Sequence, residues 1–393
     1  MLLDLLKPVM DSQAPYASVC VDATRVDRAT GDELELRWAD QSRELESLGA
    51  PPQAVEALRQ RALEPTGRGG ERTRVLVSSG DQVVLDLLLP GRPVKEEAAF
   101  GAVPDLMPVV RALTPLVPYA VARVDRAGAD LEVVGALGDV EDEHEVNGGH
   151  DVLHKVGFGG WSHKRYQTRA QDSWERNATA VAEELDRIVR RHAPELVLLE
   201  GDSNAIAALE EHASHELKQR LVRLNTGGRA AGTSASAEEE AVRQALADHR
   251  RIRTQRLLDR LDERLRRQQE AVEGLEPVVE VLRRGQIEEL VLRDDPGSTA
   301  SLWVGQEPLQ VGTSREDAVA AGALEPQQVR ADAALVWSLL GSSAGMTLLD
   351  GESAPDLTDG LAAVLRWSDP ATPHSAVPSM PGHGEPPARP ASL

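Results

Sequence analysis

The sequence predicts an α/β protein built as three successive units with mixed sheets, and three observations carry that expectation. Short apolar runs typical of strands alternate with longer stretches of helical spacing from residue 16 to residue 367. Two breaks punctuate the alternation: Pro118, which closes an apolar helical run, and the Gly/Ser/Ala-rich stretch 226–237. The chain has 393 residues, 41% of them hydrophobic, enough for two or three domains with real cores. The expected division is 1–117, 118–237 and 238–368, followed by a tail, 369–393. That tail holds seven prolines and little apolar content, so it is expected to be disordered.

The opening run MLLDLLKPVM is apolar but short, contains Asp4 and Pro8, and lacks a basic leader or an A-x-A cleavage site. It is expected to be a docking helix. Residues 16–23 and 73–89 have strand patterns, the second folded about a Gly80-Asp81 turn. Two helical patterns lie between them over 40–63, parted by Pro51-Pro52. Glu96–Gly101 leads into an apolar helix, Asp105 to Val117. The next unit opens with a hairpin, 119–125 and 130–136, about Arg126-Ala127-Gly128-Ala129. A helix is predicted from about Ser162 to His192, where Trp174, Ala178, Val181, Leu185, Ile188 and Val189 recur at helical spacing. Pro194 stops it, and a buried-type strand, 195–201, turns through Gly201-Asp202-Ser203-Asn204 into another helix. A short strand, 221–225, closes the unit. Glu238 to Arg267 is one charged helix with nine arginines and an apolar stripe of Ile252, Leu257, Leu258, Leu261 and Leu265, the pattern of an amphipathic connector. Residues 271–292 are expected to form a helix, a tight turn at Gly285 and a strand. A strand at SLWVG, a helix over 326–340 and a strand at MTLLD follow.

Charge separates one segment from all others. The formal net charge is −21, from 64 acidic and 43 basic residues, which argues against broad coating of nucleic acid and permits focal contact only. Yet residues 154–171, HKVGFGGWSHKRYQTRAQ, carry Lys155, Lys164, Arg165 and Arg169 and no carboxylate. Gly157, Gly159 and Gly160 free the backbone there. Trp161, Tyr166 and Trp174 concentrate the scarce aromatics in the same place. An anionic partner explains such an island, and RNA suits it best, because aromatics stack on bases while cations meet phosphates. A glycine-rich turn feeding a solvated basic helix is the alternative. The expected contact residues are Gly159, Gly160, Trp161, His163, Lys164, Arg165, Tyr166 and Arg169.

Other groupings carry less. Histidines 144, 150, 154 and 163 lie near Asp139, Glu141, Asp142, Glu143 and Glu145, and imidazole with carboxylate suits zinc or iron. No H-E-x-x-H spacing occurs and the acidic run looks like a loop, so no metal and no cofactor are expected. Gly201-Asp202-Ser203 is either a ligand turn at a strand end or a helix start capped by Ser203. No G-x-x-x-x-G-K-[ST] occurs, which excludes a P-loop nucleotidase. The single cysteine, Cys20, lies in an apolar run and cannot pair within the chain, which fits a reducing cytoplasm. Nowhere do 18 apolar residues run together, so no membrane span is expected.

The order of these features resembles the archaeo-eukaryotic peptide release factor and Pelota family. The resemblance covers roughly residues 118–368. Gly274, Val278, Leu282, Gly285, Ile287, Leu290 and Leu292 follow that family's third-domain pattern, and GFGGWSHKRYQTRAQDSWERNATAVAEEL resembles its central stretch, a Gly-Gly-Gln loop before an Arg-rich helix. The wording is most similar to the bacterial branch, which includes the ribosome hibernation factor Balon and actinobacterial relatives. The resemblance implies the three-domain release-factor architecture and binding at the ribosomal A site, with the central unit near the peptidyl-transferase centre. tRNA and a translational GTPase stand as further partners it leaves open. In true release factors the loop glutamine positions water for ester attack. Gly159 and Gly160 match the glycines here, and Trp161 stands where the glutamine belongs. An indole N–H donates one hydrogen bond and cannot reproduce the amide's donor–acceptor pair. No catalytic residue is therefore assigned. The expected function is a ribosome-binding factor for idle or stalled ribosomes under stress. The alternative is a peptidyl-tRNA hydrolase or tRNA-cleaving enzyme of the same fold that uses another side chain.

Overall fold

The computed structural model describes residues 2–24, 30–67, 69–125, 128–147, 152–154, 174–224, 235–349 and 355–373. It is a mixed α/β chain with several sheets. The first unit comprises α1 (Leu2–Met10), β1 (Tyr16–Asp22), α2 (Thr30–Ser47), α3 (Pro52–Leu63), β2 (Arg72–Ser79), β3 (Gln82–Pro90), β4 (Glu97–Gly101) and α4 (Met107–Leu113). Its strands form an antiparallel sheet in the order β3-β2-β1-β4. The expected turn is present at Gly80, whose φ of 59° suits glycine. β1 is buried on both faces. Leu45 of α2 and Leu58 of α3 pack on Ala17, Val19 and Leu76 on one side. Leu6 and Val9 of α1 join Val75, Val77 and Leu89 on the other, so the docking helix docks as expected.

Glu97–Gly101 departs from the expectation of a helix lead-in. It is a strand paired with β1 along Tyr16↔Gly101 to Cys20↔Glu97. The helix after it is shorter than the predicted 105–117. Thr114 is its C-cap, and Pro115, unable to donate to the ladder, follows at once.

The second unit holds β5 (Tyr119–Val124), β6 (Gly128–Val134), β7 (Val140–Asn147), β8 (Val152–His154), α5 (Trp174–His192), β9 (Leu196–Gly201), α6 (Ser203–His212), α7 (His215–Lys218) and β10 (Leu221–Arg223). Its sheet runs β10-β9-β5-β6-β7-β8. β10, β9 and β5 are parallel, and β5 to β8 form an antiparallel meander. One face is sealed by α5 and α6, through Val181, Leu185, Ile188, Ile206 and Leu209 on Ala120, Leu131, Val197 and Leu199.

The acidic run is not a loop. It is β7, registered with β6 through Glu132↔Glu143 and Leu131↔His144. Its inward row is Asp142, His144 and Val146, with Glu141, Glu143 and Glu145 between them. One apolar residue in three hides the period of two from any hydrophobicity reading.

The last part begins with α8 (Ala235–Arg267), a 33-residue helix. After it come β11 (Ala271–Glu273), α9 (Leu275–Arg283), β12 (Ile287–Arg293), β13 (Ser301–Val304), β14 (Val311–Gly312), α10 (Arg315–Ala320), β15 (Gln327–Arg330), α11 (Ala331–Ser342), β16 (Gly345–Leu349) and β17 (Leu361–Leu365). Two sheets result, β11-β17-β12-β16 and β14-β13-β15. Residues 271–273 pair with β17 rather than opening a helix, and Gly274 at φ 90° separates them from α9. The predicted helix 326–340 starts late because Gln327–Arg330 pair with β13. Val278, Leu282, Ile287 and Leu290 of the family pattern are fully buried, so these positions are packing positions.

Two connections tie the parts together. Val242, Ala245 and Leu246 near the start of α8 lie on Val121, Leu196 and Leu198, the open face of the second sheet. Leu257, Leu258, Leu261 and Leu265 near its end lie on Ala271, Val291, Ala362 and Val364 of the third. The amphipathic connector is thus a shared helix. Separately, the first unit's core runs on into that of the last part: Tyr16 stacks obliquely on Trp337 of α11, ring centroids 5.8 Å apart. Of the predicted tail, residues 369–373 are held in place. Thr372 is buried, and its hydroxyl accepts from Gln286 Nε2 at 3.0 Å. Residues 374–393 lie outside the described residues. No helix among the described residues is long and apolar enough to cross a membrane.

Candidate functional site

The eight predicted contact residues, Gly159, Gly160, Trp161, His163, Lys164, Arg165, Tyr166 and Arg169, lie outside the described residues, as does the predicted helix before Trp174. The structure does give the frame from which that segment leaves and to which it returns. The chain departs from β8 at the sheet edge, where Val152, Leu153 and His154 pair with Val146, Glu145 and His144. It returns at the start of α5. The two stems therefore belong to the edge hairpin and to the helix that covers it.

β7 and α5 are joined by a polar cluster set among the apolar contacts. The His144 side chain, 3% exposed, has Nε2 3.1 Å from Asp142 Oδ2 and Nδ1 3.1 Å from Glu184 Oε1. Glu184 of α5 is equally buried and also meets Arg187. At the very end of α5, Arg191 lies 3.8 Å from Asp142, and the ring of His192 lies 3.3 Å from Asp142 and 3.5 Å from Glu141. Burial pushes the Asp142 carboxyl up, but the nearby rings of His144 and His192, a hydrogen bond with His144 and the amide of Glu143 outweigh it and hold it below the usual range. Buried polar groups persist only when matched in this way. The sequence placed His144 beside acids without showing that Glu184, forty residues on, completes the set. Among the described residues no three His, Cys, Asp or Glu side chains converge so as to hold a metal ion. His150 and His163 lie outside them.

The other notable point of the frame is the carboxyl end of β5 and β9. Gly201 has φ 126°, and a Cβ there would lie 1.9 Å from the carbonyl oxygen of Val124. Asp202 donates its amide to that same carbonyl at 3.0 Å. Its side chain accepts from the amides of Asn204 and Ala205, so Asp202 rather than Ser203 caps α6. The crevice between Asp125, Asn177 and Ala208 has room for about 10 Å³, far below the several hundred Å³ of a ligand site. This turn is structural.

On the opposite face the shared helix is pinned by ion pairs. Arg123 of β5 meets Glu238 at 2.8 Å, and Glu195 receives both His249 and Arg253 at 2.9 Å. Arg260 reaches Glu288 at 2.9 Å at the other end.

Comparison with known proteins bears on this frame directly. The model of bacterial archaeo-eukaryotic release factor family 2 matches residues 118–267. An uncharacterized protein of Mycobacterium tuberculosis is 25% identical over 368 residues, covering 92% of this chain and 96% of its own. Among solved structures, S. cerevisiae Dom34, described as a translation termination-like factor involved in RNA quality control pathways and interacting with Hbs1, is 11% identical. It covers 77% of this chain and 81% of its own, with a TM-score of 0.37. A chain from a model of ribosome-bound archaeal Pelota and ABCE1 is 16% identical, covering 93% of this chain and 94% of its own, with a TM-score of 0.36. Superposition on these two is loose, so the assignment rests on the family match. That match starts one residue before β5 and ends with α8, taking in the central sheet, the segment 155–173 and the shared helix. Residues 118–267, therefore, carry this chain's similarity to bacterial archaeo-eukaryotic release factor family 2.

Proposed function

We propose that this protein is a ribosome-associated translation factor of release-factor type that occupies the A site of idle or stalled ribosomes, with residues 154–171 as its RNA-gripping element. One observation carries the reading. The family match spans a segment that holds four cations and no carboxylate, in a chain of net charge −21. Loop Gly159-Gly160-Trp161 and the cations Lys164, Arg165 and Arg169 then supply stacking and phosphate contact together. The three units divide near 117 and 237, and the central one points its segment toward the peptidyl-transferase centre. A hibernation or rescue role in the cytoplasm follows. Hbs1, named with Dom34, makes a translational GTPase the natural accessory partner, with tRNA the other.

The test is cosedimentation of the purified full chain with ribosomes across a salt series. Replacing Lys164, Arg165 and Arg169 together by alanine removes three phosphate contacts. For single-stranded RNA each contact flattens the log–log salt slope by about 0.7, so the triple variant is expected to lose about 2 from the slope. Unchanged binding with an unchanged slope would remove the segment from the interface.

The runner-up reading, a hydrolase of this fold, is decided by peptide release. With Trp161 in place of the water-positioning glutamine, the wild-type chain is expected to leave peptidyl-tRNA intact on programmed ribosomes. Loss of one aligned transition-state contact typically costs about 10²–10³ in rate. Trp161→Gln is expected to restore a trace of release. Robust release by the wild type would establish the hydrolase and place the chemistry on another group.

A further inference from the structure

Where the first unit meets the last part of the chain, one arginine gathers carboxylates from three elements. Arg111 of α4 has a side chain only 8% exposed. Its Nε lies 3.1 Å from both carboxylate oxygens of Asp294, just past β12. Glu97 of β4 is 3.5 Å from Nη1, and Asp332 of α11 is 3.9 Å from Nη2. Asp332 is itself forked by Arg330 of β15, at 3.1 and 2.6 Å. A fourth carboxylate, Asp105, stands just before α4. It accepts from the Met107 amide at 3.1 Å and has no ion pair of its own among the described residues.

Asp105 is faced by Cys20 of β1, Glu97 of β4, Asp332 of α11 and Arg330 of β15, with Arg111 on its own helix. Four carboxylates thus share two guanidinium groups, leaving two negative charges in excess when all are ionised. Asp105 is the member without a cation in contact, so it is where a proton relieves most repulsion. Burial first, then the charges of Glu97 and Asp332, push its carboxyl up to about 6.

We propose that Asp105 and the Arg111 network form a proton-sensitive clasp between the first unit and the last part of the chain, which tightens when Asp105 takes up a proton. This goes beyond ribosome binding and does not depend on it. A carboxyl raised on folding contributes stability that is complete below its unfolded value of 3.8 and is lost as pH rises through about 6. Burial is the largest cause of that rise and belongs to folding as a whole, so the clasp itself responds to the share owed to Asp332 across the contact.

Two measurements on the full chain decide it. In a Cys20→Ala background, dyes are attached through Val94→Cys and Leu324→Cys, both highly exposed and on opposite sides of the contact. The distance distribution by single-molecule energy transfer is expected to narrow from pH 7.5 to pH 5.5. With Asp105→Asn added it is expected to be narrow at both. The unlabelled protein supplies the second readout: Asp105→Asn should melt higher than wild type at pH 7.5 and level with it near pH 4. A difference between the two proteins that does not vary with pH, or a distribution indifferent to pH in the wild type, overturns the clasp.

Discussion

Replacing Gly201 by alanine is expected to destabilise the central sheet by on the order of 4 kcal/mol. At φ 126° the residue occupies backbone space that side-chain-bearing residues avoid, at a cost of about 1–3 kcal/mol. The new methyl would also lie 1.9 Å from the Val124 carbonyl oxygen, forcing apart β5 and β9, where overpacking costs a further 1–3 kcal/mol or so. The contact is backbone, so no rotamer change can relieve it. The Val124 carbonyl also accepts the Asp202 amide, and Asp202 caps α6, so the damage should spread to that helix. Urea unfolding followed by circular dichroism measures the loss. A change below about 1 kcal/mol would mean that the β5–β9 junction is wider than described.

Arg111→Ala is expected to cost about 3–5 kcal/mol at neutral pH. Removing one partner of a buried ion pair leaves the others as uncompensated buried charge. Here Asp294, Glu97 and Asp332 would all face a cavity with only Arg330 to share. The sign of its pH dependence is also fixed. Lowering the pH through about 6 protonates Asp105 beside the carboxylates stranded by the substitution, so the penalty should shrink in acid. Thermal unfolding of the variant and wild type from pH 4.5 to 8 checks this. A penalty that grows in acid would show that the network is not held by Arg111.

Much of the fold was legible because its elements obey simple periodicities. The hairpin at 119–136, the strand 195–201 turning into α6, and the shared helix ending at Arg267 each combine an apolar repeat with a clear stop. β7 was not legible, because its inward row is Asp142, His144 and Val146, and polar residues matched in space look like a loop in sequence. β4 failed for a different reason. EAAFG has little strand character alone and is a strand because β1 offers it a partner.

The candidate site divides the same way. The charge anomaly of 154–171 is a local property and shows in a line of text. The links that hold its frame do not: His144 meets Glu184 across forty residues, and Arg123 of the same sheet meets Glu238 across 115. Spacing along a chain carries no record of such meetings, since they follow from the packing of whole elements.

The unbroken run of α8 has a mechanical consequence. At 1.5 Å per residue its 33 residues form a rod of about 50 Å, seated on one sheet near its start and on another near its end. A joint made from a flexible linker would let the two sheets turn independently, but a helix fixed at both ends acts as a lever. Tilting one seat by about 5° would sweep the far end through about 4 Å at that length. Load applied to the segment beyond β8 would reach the β11–β17 sheet as displacement, with no chemical signal in between.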